Sequence, residues 1–194
     1  MVEQKRPDLG RSVLIVAVGI AALAGLAYVA TLPAAPSVSA VADPADLAAL
    51  KVAPTQGALA PDFSLLNLEG EPVTLSELRG HPLMINLWAT WCAPCRIEMP
   101  HIQDRFERYA GEGFLVLAVD FDEPAGLVEE FRDEFGLTFD ILLDPGAEVQ
   151  ELYRNRSYPS TFFVDENGVI QVQHIGVMTE GQLDQNLAAI GLES

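Results

Sequence analysis

Cysteine is nearly absent from the 194 residues: there are two, and both stand in one pentapeptide, Trp91-Cys92-Ala93-Pro94-Cys95. Histidine is scarce as well, with only His81, His101 and His174. A structural zinc site wants four Cys or His ligands, and these residues show no paired-ligand spacing, so no metal site is expected. A static staple explains the pair poorly, because closing so small a loop removes little entropy from the unfolded chain. Basic residues are the third shortage, 11 Lys and Arg against 28 Asp and Glu, for a net charge of −17. The two signs balance at four each up to Leu59, so the seven basic and twenty-four acidic residues from Ala60 onward carry the whole surplus. Such a surface argues against nucleic acid as a partner and against close contact with anionic lipid; its plain role is to keep the domain soluble.

What the chain does have is a dithiol in a reactive setting. The apolar run Leu83-Met84-Ile85-Asn86-Leu87-Trp88 reads as a buried strand, and the cysteines follow it directly, at the start of a helix. Only the thiolate attacks a disulfide, and the unpaired N–H groups and positive dipole end of a helix N-terminus stabilise an anion there. Cys92, in the first turn, is therefore expected to have a lowered pKa and to attack. Cys95, brought round onto the same turn, resolves the mixed disulfide. Pro94 fits the first helical turn, where its missing N–H would have had no intrahelical partner. The pair is its own redox centre, and no further cofactor is expected. Soft thiolates also hold Cu(I), so an anchored copper-binding chaperone stays open as an alternative to an enzyme.

Residues 12–32 are 21 positions without a charge, long enough to cross a bilayer as a helix, and Lys5, Arg6 and Arg11 lie just before them. The basic flank predicts a cytoplasmic N-terminus over 1–11, a transmembrane signal anchor over 12–32 and an extracytoplasmic remainder. The protein is thus expected at the cell membrane as a single-pass chain. A cleaved signal peptide competes, since Val38-Ser39-Ala40 offers small residues of the accepted kind, but such a peptide's apolar region is normally shorter, about 7–15 residues. Either way the dithiol is exported. Residues 33–59 are rich in Ala, Pro and Ser and read as an extended linker, with room for a short helix over 44–51.

The remaining residues, 60–194, are enough for one domain. Asp62–Leu68 and Val73–Leu75 read as a hairpin around Glu69-Gly70-Glu71-Pro72, followed by a turn over 76–80. The cysteine helix is expected to run to about Tyr109 and to end at Gly111 and Gly113. Phe114–Phe121 reads as a continuous apolar central strand. Residues 124–135 form a helix with Leu127, Phe131 and Phe135 at core spacing; 138–143 is a strand and 148–153 a short helix. Thr161–Val164 and Val169–Gly176 make a hairpin through Asp165-Glu166-Asn167-Gly168. Thr179 with Gln182 matches a capping box for a last helix that buries Leu183, Leu187 and Ile190. The order βαβαβαββα predicts an α/β sandwich with a mixed sheet and its dithiol at the carboxyl end of a central strand, where open α/β sheets place their sites.

From about Ala60-Pro61-Asp62-Phe63 to its last helix, the chain resembles thioredoxin-fold proteins, most closely the TlpA/ResA/CcmG family of membrane-anchored, extracytoplasmic thiol-disulfide oxidoreductases. The likeness rests on Asn86-Leu87-Trp88-Ala89-Thr90-Trp91-Cys92-Ala93-Pro94-Cys95, on Glu98-Met99-Pro100, and on Tyr158-Pro159-Ser160-Thr161-Phe162-Phe163-Val164-Asp165. It implies a thioredoxin-like α/β fold with an N-terminal β-hairpin and a central αβ insertion between Phe114 and Asp144, behind one transmembrane helix. By the same resemblance, Glu98 exchanges the proton of the resolving thiol, and its place three residues beyond Cys95 makes the two side chains neighbours on a helix. Pro159 matches the family's cis-proline, which leaves neighbouring backbone free to pair with an extended substrate. Trp91, Pro94 and Tyr158 complete the expected substrate-binding surface. Pro100 is expected to interrupt the active-site helix by freeing the carbonyl of Arg96. Asn86 stands where thioredoxins proper carry a buried aspartate; an amide cannot exchange a proton, which passes that duty to Glu98, and its default reading is a core residue satisfied by hydrogen bonds. Trp88 is expected as packing beside the site. One departure is Arg154-Asn155-Arg156, where the family often has a small or apolar pair.

The resemblance implies a disulfide reductase acting on exported proteins such as apocytochrome c, in cytochrome c maturation, and re-reduced by a transmembrane electron donor. A thiol oxidase or isomerase is the alternative direction. A peroxiredoxin fits less well: Ala60-Pro61-Asp62-Phe63 resembles the opening of that sister group, but the position three before Cys92 is Ala89, not the required threonine.

Overall fold

A strand buried on both faces needs an unbroken apolar run, and the one before the cysteines forms the centre of the sheet. In a computed structural model describing residues 44–193, the elements in chain order are α1 (Pro44–Ala49), β1 (Ser64–Asn67), β2 (Pro72–Thr74), a 3-10 turn (Leu75–Leu78), β3 (Leu83–Trp88), α2 (Ala93–Tyr109), β4 (Leu115–Phe121), α3 (Ala125–Phe135), β5 (Asp140–Asp144), α4 (Glu148–Leu152), β6 (Ser160–Val164), β7 (Ile170–Ile175) and α5 (Glu180–Ala188). The expected N-terminal segment 1–11, the anchor over 12–32 and the first part of the linker lie outside the described residues. No helix among the described residues is long and apolar enough to cross a membrane.

The sheet has seven strands in the order β2-β1-β5-β4-β3-β6-β7. β3 runs parallel to β4, and β4 to β5, while β6, β7 and the β1–β2 hairpin pair antiparallel, which makes the mixed sheet that the element order predicts. One face packs α2, α3 and α5 through Met84, Trp88, Met99, Ile102, Phe131 and Leu187. The other packs α4 and the N-terminal segment through Phe63, Leu87, Leu142 and Tyr153.

Several boundaries differ from the sequence expectations, each for a visible reason. The folded domain starts before Ala60: Gly57 N–H donates to Ile170 C=O at 2.8 Å, Ile170 N–H to Ala58 C=O at 2.9 Å, and Ala60 N–H to Gly168 C=O at 3.0 Å. Small, buried Ala58 and Ala60 allow that close approach, so the end of the stretch expected as linker is stitched to β7. β5 begins at Asp140, not Thr138, because Thr138 is held by Gln103: its N–H donates to Gln103 Oε1 at 2.9 Å and its hydroxyl accepts from Gln103 Nε2 at 2.7 Å. In α3 the buried stripe is Val128 and Phe131 with half-buried Phe135, and Leu127 faces solvent. α2 is not interrupted at Pro100; proline removes one donor only, and the buried Met99 and Ile102 hold the turns around it. It closes through a 3-10 turn on Gly113, whose φ of 77° suits glycine, and a Cβ there would meet His81 at 2.9 Å. The capping box of α5 has both its bonds, Gln182 N–H to Thr179 Oγ1 and Thr179 N–H to Gln182 Oε1.

Candidate active site

Cys92 is the N-cap of α2, at the carboxyl end of β3, and it forms a disulfide with Cys95. Its Sγ accepts the backbone N–H of Cys95 at 3.2 Å, while the Cys92 N–H donates to Ala89 C=O at 3.1 Å. A sulfur that already accepts a helix-terminal N–H gains more from that bond as a thiolate. Pro94 lies in the first turn, and with Trp91, Ala93 and Ile97 it is exposed around the disulfide, whereas Cys92 and Cys95 are 4% and 1% exposed. The sulfurs thus sit just beneath an apolar surface.

The loop before β6 supplies the opposite wall. Tyr158–Pro159 is a cis peptide, and the Tyr158 ring meets Trp91 edge-on at 5.7 Å and tilts against Phe121 at 5.4 Å. Pro159 C=O is engaged by Gly176 N–H at 2.8 Å, but no backbone–backbone hydrogen bond among the described residues involves Tyr158. The free backbone expected beside the proline is therefore that of Tyr158. Arg154, with φ 53°, and Arg156 are exposed on the approach to this loop, while Asn155 is tied to Gln150.

Below the disulfide the polar groups are unusual. Glu98 is 1% exposed and neither carboxylate oxygen has a hydrogen-bond partner. Burial pushes its pKa up to about 8; the Met178 amide, too loosely placed to count as a hydrogen bond, opposes this weakly. Glu98 is thus a proton-carrying group near neutrality on the helix face that also bears Cys95. Asn86 is only half satisfied: Nδ2 donates to Thr161 Oγ1 at 2.9 Å, while Oδ1 is buried and unpaired. Trp88 is a core residue whose ring lies tilted against Phe131 with centroids 4.6 Å apart, and its Nε1 is unpaired. Pro100, expected as a structural residue near the site, is exposed within α2. Among the described residues no group of three His, Cys, Asp or Glu is arranged to hold a metal ion.

Two acidic residues near the site escaped sequence reasoning. Asp120 is fully buried at the end of β4, in register with Trp88, and Glu123 in the next loop accepts both the N–H and the hydroxyl of Thr90. The one available signal was an Asp inside the otherwise apolar run Phe114–Phe121, where a carboxyl needs a reason to be buried.

With this geometry in place, comparison with known proteins is specific. The AhpC/TSA family matches residues 56–173. The thiol-disulfide oxidoreductase ResA of Geobacillus kaustophilus is 39% identical over 140 residues, covering 72% of this chain and 80% of the relative. The thioredoxin-like protein YneN of Bacillus subtilis is 42% identical over 135 residues, 68% of this chain and 78% of its own. Among solved structures, a crystal structure from Chlorobium tepidum named for a thiol:disulfide interchange protein, DsbE, superposes with a TM-score of 0.66 at 34% identity, covering 71% of this chain and 99% of that one.

Proposed function

Because the chain belongs to the AhpC/TSA family of thioredoxin-like proteins, and is a thiol-disulfide oxidoreductase with its CxxC pair at Cys92 and Cys95, we propose that it works as a membrane-tethered, extracytoplasmic disulfide reductase. The Cys92 thiolate attacks one sulfur of a partner's disulfide, and the other sulfur leaves as a thiolate that takes up a proton. Cys95 then gives its proton to Glu98 in its ionised form, the minor one below about pH 8, and attacks Cys92 Sγ. The partner's second sulfur is released, the partner gains two electrons, and Cys92–Cys95 ends oxidised. Trp91, Pro94 and Tyr158 dock an extended segment whose backbone pairs with that of Tyr158 beside Pro159. The substrates are disulfides of exported proteins, such as the haem-binding cysteines of apocytochrome c, and a transmembrane electron donor restores the dithiol. The tether is the uncharged stretch 12–32 behind its basic flank.

One observation carries the direction: both sulfurs are buried, above a buried carboxyl with no partner. A neutral disulfide costs nothing electrostatically in that setting, whereas a thiolate loses hydration, against which Cys92 Sγ has one helix-terminal N–H. Destabilising the thiolate favours the disulfide, so the dithiol gives up its electrons readily; a strong oxidant arises in the opposite way, by stabilising the reduced form. The test is the midpoint potential of the Cys92–Cys95 couple in the full chain, by equilibration with dithiol buffers. A value near or below about −270 mV is expected, and one near about −120 mV would turn the assignment to a thiol oxidase.

A further inference from the structure

Asp120 points to the same face of the sheet as Ala118 and Trp88, the face that packs against Cys92 and Cys95. Its Oδ2 accepts the Glu123 N–H at 3.0 Å and its Oδ1 is buried and unpaired. The half-buried Glu123 carboxylate reaches across to the β3–α2 connection, taking the Thr90 N–H at 2.6 Å on one oxygen and the Thr90 hydroxyl at 2.5 Å on the other. Thr90 lies two residues before Cys92. The β4–α3 loop therefore grips, through one carboxylate, the loop that delivers the nucleophile.

We propose that Asp120 and Glu123 are a proton-sharing carboxyl pair that positions the Cys92 loop through Thr90, and that loss of the shared proton slows attack by Cys92. Asp120 Oδ2 takes one N–H, from the Glu123 backbone, and its Oδ1 has no partner, so an ionised Asp120 would hold its charge on a single hydrogen bond away from water. Asp120, the deeper one, keeps the proton: burial first, then its interaction with Glu123, push its pKa well above the usual carboxylate range. Glu123 uses both carboxyl oxygens on Thr90, so its place in the loop depends on what Asp120 does to the Glu123 backbone. Ionising Asp120 sets a buried negative charge beside the Glu123 backbone and disturbs the acceptor that Thr90 needs. Both residues act through Thr90 and touch no substrate, so they are positioning residues.

The other titratable groups around Asp120 do not supply the same switch. From the loop before β6, Tyr158 stays protonated, its pKa pushed up to about 12 mainly by burial. Asp144, in register with Phe121, lies on the other face of the sheet; burial raises its pKa too, against the N–H groups of Val149 and Gln150 that it accepts. On its own loop Asp122 turns to the Gly146 N–H, and from β3 the facing side chain is the uncharged Trp88. On α2, Glu98 titrates in a similar range, so it is neutralised first in the test.

The full chain carrying Glu98→Gln is reduced and mixed with the aromatic disulfide of thionitrobenzoate, and release of the first thiolate reports attack by Cys92 alone. The same measurement on Glu98→Gln/Asp120→Asn gives a ratio of rates at each pH, in which the thiolate fraction of Cys92 largely cancels. The ratio is expected to move by about tenfold against the Asp120 protein between about pH 6.5 and about pH 9.5, the scale on which misplacing a reacting group acts. A ratio that stays flat overturns the proposal. Adding Thr90→Val to both chains is expected to flatten the ratio, and its persistence would overturn the route through Thr90. Should Asp120→Asn not fold, infrared difference spectra of Glu98→Gln between the same two pH values take its place. They are expected to show a protonated carboxyl band lost at alkaline pH, and its absence overturns the shared proton.

Discussion

Glu98 ionises only against the cost of its surroundings. The folded protein holds its proton up to about pH 8, whereas the unfolded chain releases it near 4.5, so between these values the native state binds more protons. Stability contributed at this site is therefore present below about pH 4.5 and is progressively lost as pH rises to about 8. Glu98→Gln keeps the shape and removes the titration. In urea unfolding of the oxidised protein, the variant is expected to gain on the parent across that window, levelling off at a gain on the order of 5 kcal/mol. A difference that does not change with pH would mean that the carboxyl is not titrating from inside. The pH dependence of thiol titration in the reduced variant is expected to shift as well, for both cysteines report on the same carboxyl. Cys92, Cys95, Glu98 and Pro159 were legible in the sequence because their relation is local or lies in short segments of familiar wording. Asp120 was not: its burial is the work of a strand that reads as uniformly apolar, and Glu123 finds Thr90 only 33 residues back along the chain. Asn86 was legible as a buried amide, while the lack of a partner for its oxygen depends on Thr161, 75 residues on.

α5 is fixed to the active-site helix by its cap and by one buried arginine. The Arg105 guanidinium, on α2, binds Asp184 through Nε at 2.8 Å and Nη2 at 3.1 Å, and its Nη1 meets Asp104 at 2.9 Å and Glu180 at 3.1 Å. The Arg105 side chain is only 6% exposed while its partners Asp104, Glu180 and Asp184 are 56%, 57% and 38% exposed, so removing it costs its hydrogen bonds and leaves the carboxylates in water. Arg105→Met is expected to cost about 2 kcal/mol and Thr179→Ala, which removes the cap acceptor, about 1 kcal/mol, both read from urea midpoints at unchanged slope. A smaller loss in Arg105→Met than in Thr179→Ala would mean that the ion cluster contributes nothing net. The cap was readable because Thr179 and Gln182 are three residues apart and need nothing else. The arginine cluster was not, since it joins two helices separated by most of the domain. The same contrast explains α3: periodicity found the helix, but which of Leu127 and Val128 faces the core was decided by where Arg96 and the stacked Phe131 and Phe135 set the helix against α2, with the Arg96 guanidinium 4.8 Å from the Phe135 ring centroid.

At the scale of the whole molecule the balance of charge is lopsided in a way that ion pairs do not cure. From Ala60 onward all seven basic residues are arginines, set against twenty-four acidic side chains. Among the described residues, Arg96, Arg105, Arg108 and Arg132 contact only Glu69, Asp104, Asp133, Glu134, Glu180 and Asp184, and apart from Arg105 these arginines are at least partly exposed. Exposed pairs contribute about 0–1 kcal/mol each, while the unpaired carboxylates repel one another over distances that salt screens. Repulsion is weaker in the expanded unfolded chain, so it acts against the native state. Raising sodium chloride from about 0.01 M to about 0.5 M at neutral pH is therefore expected to stabilise the domain by about 1 kcal/mol, seen as a rise of about 3 °C in Tm. A fall in Tm would mean that the ion pairs outweigh the repulsion. Exclusion of salt from the protein surface does not depend on the protein's net charge, which provides the control. Near pH 4.3, where the sequence is neutral overall, the salt effect is expected to vanish if screening is its cause; a rise of equal size there would assign it to solvent exclusion instead.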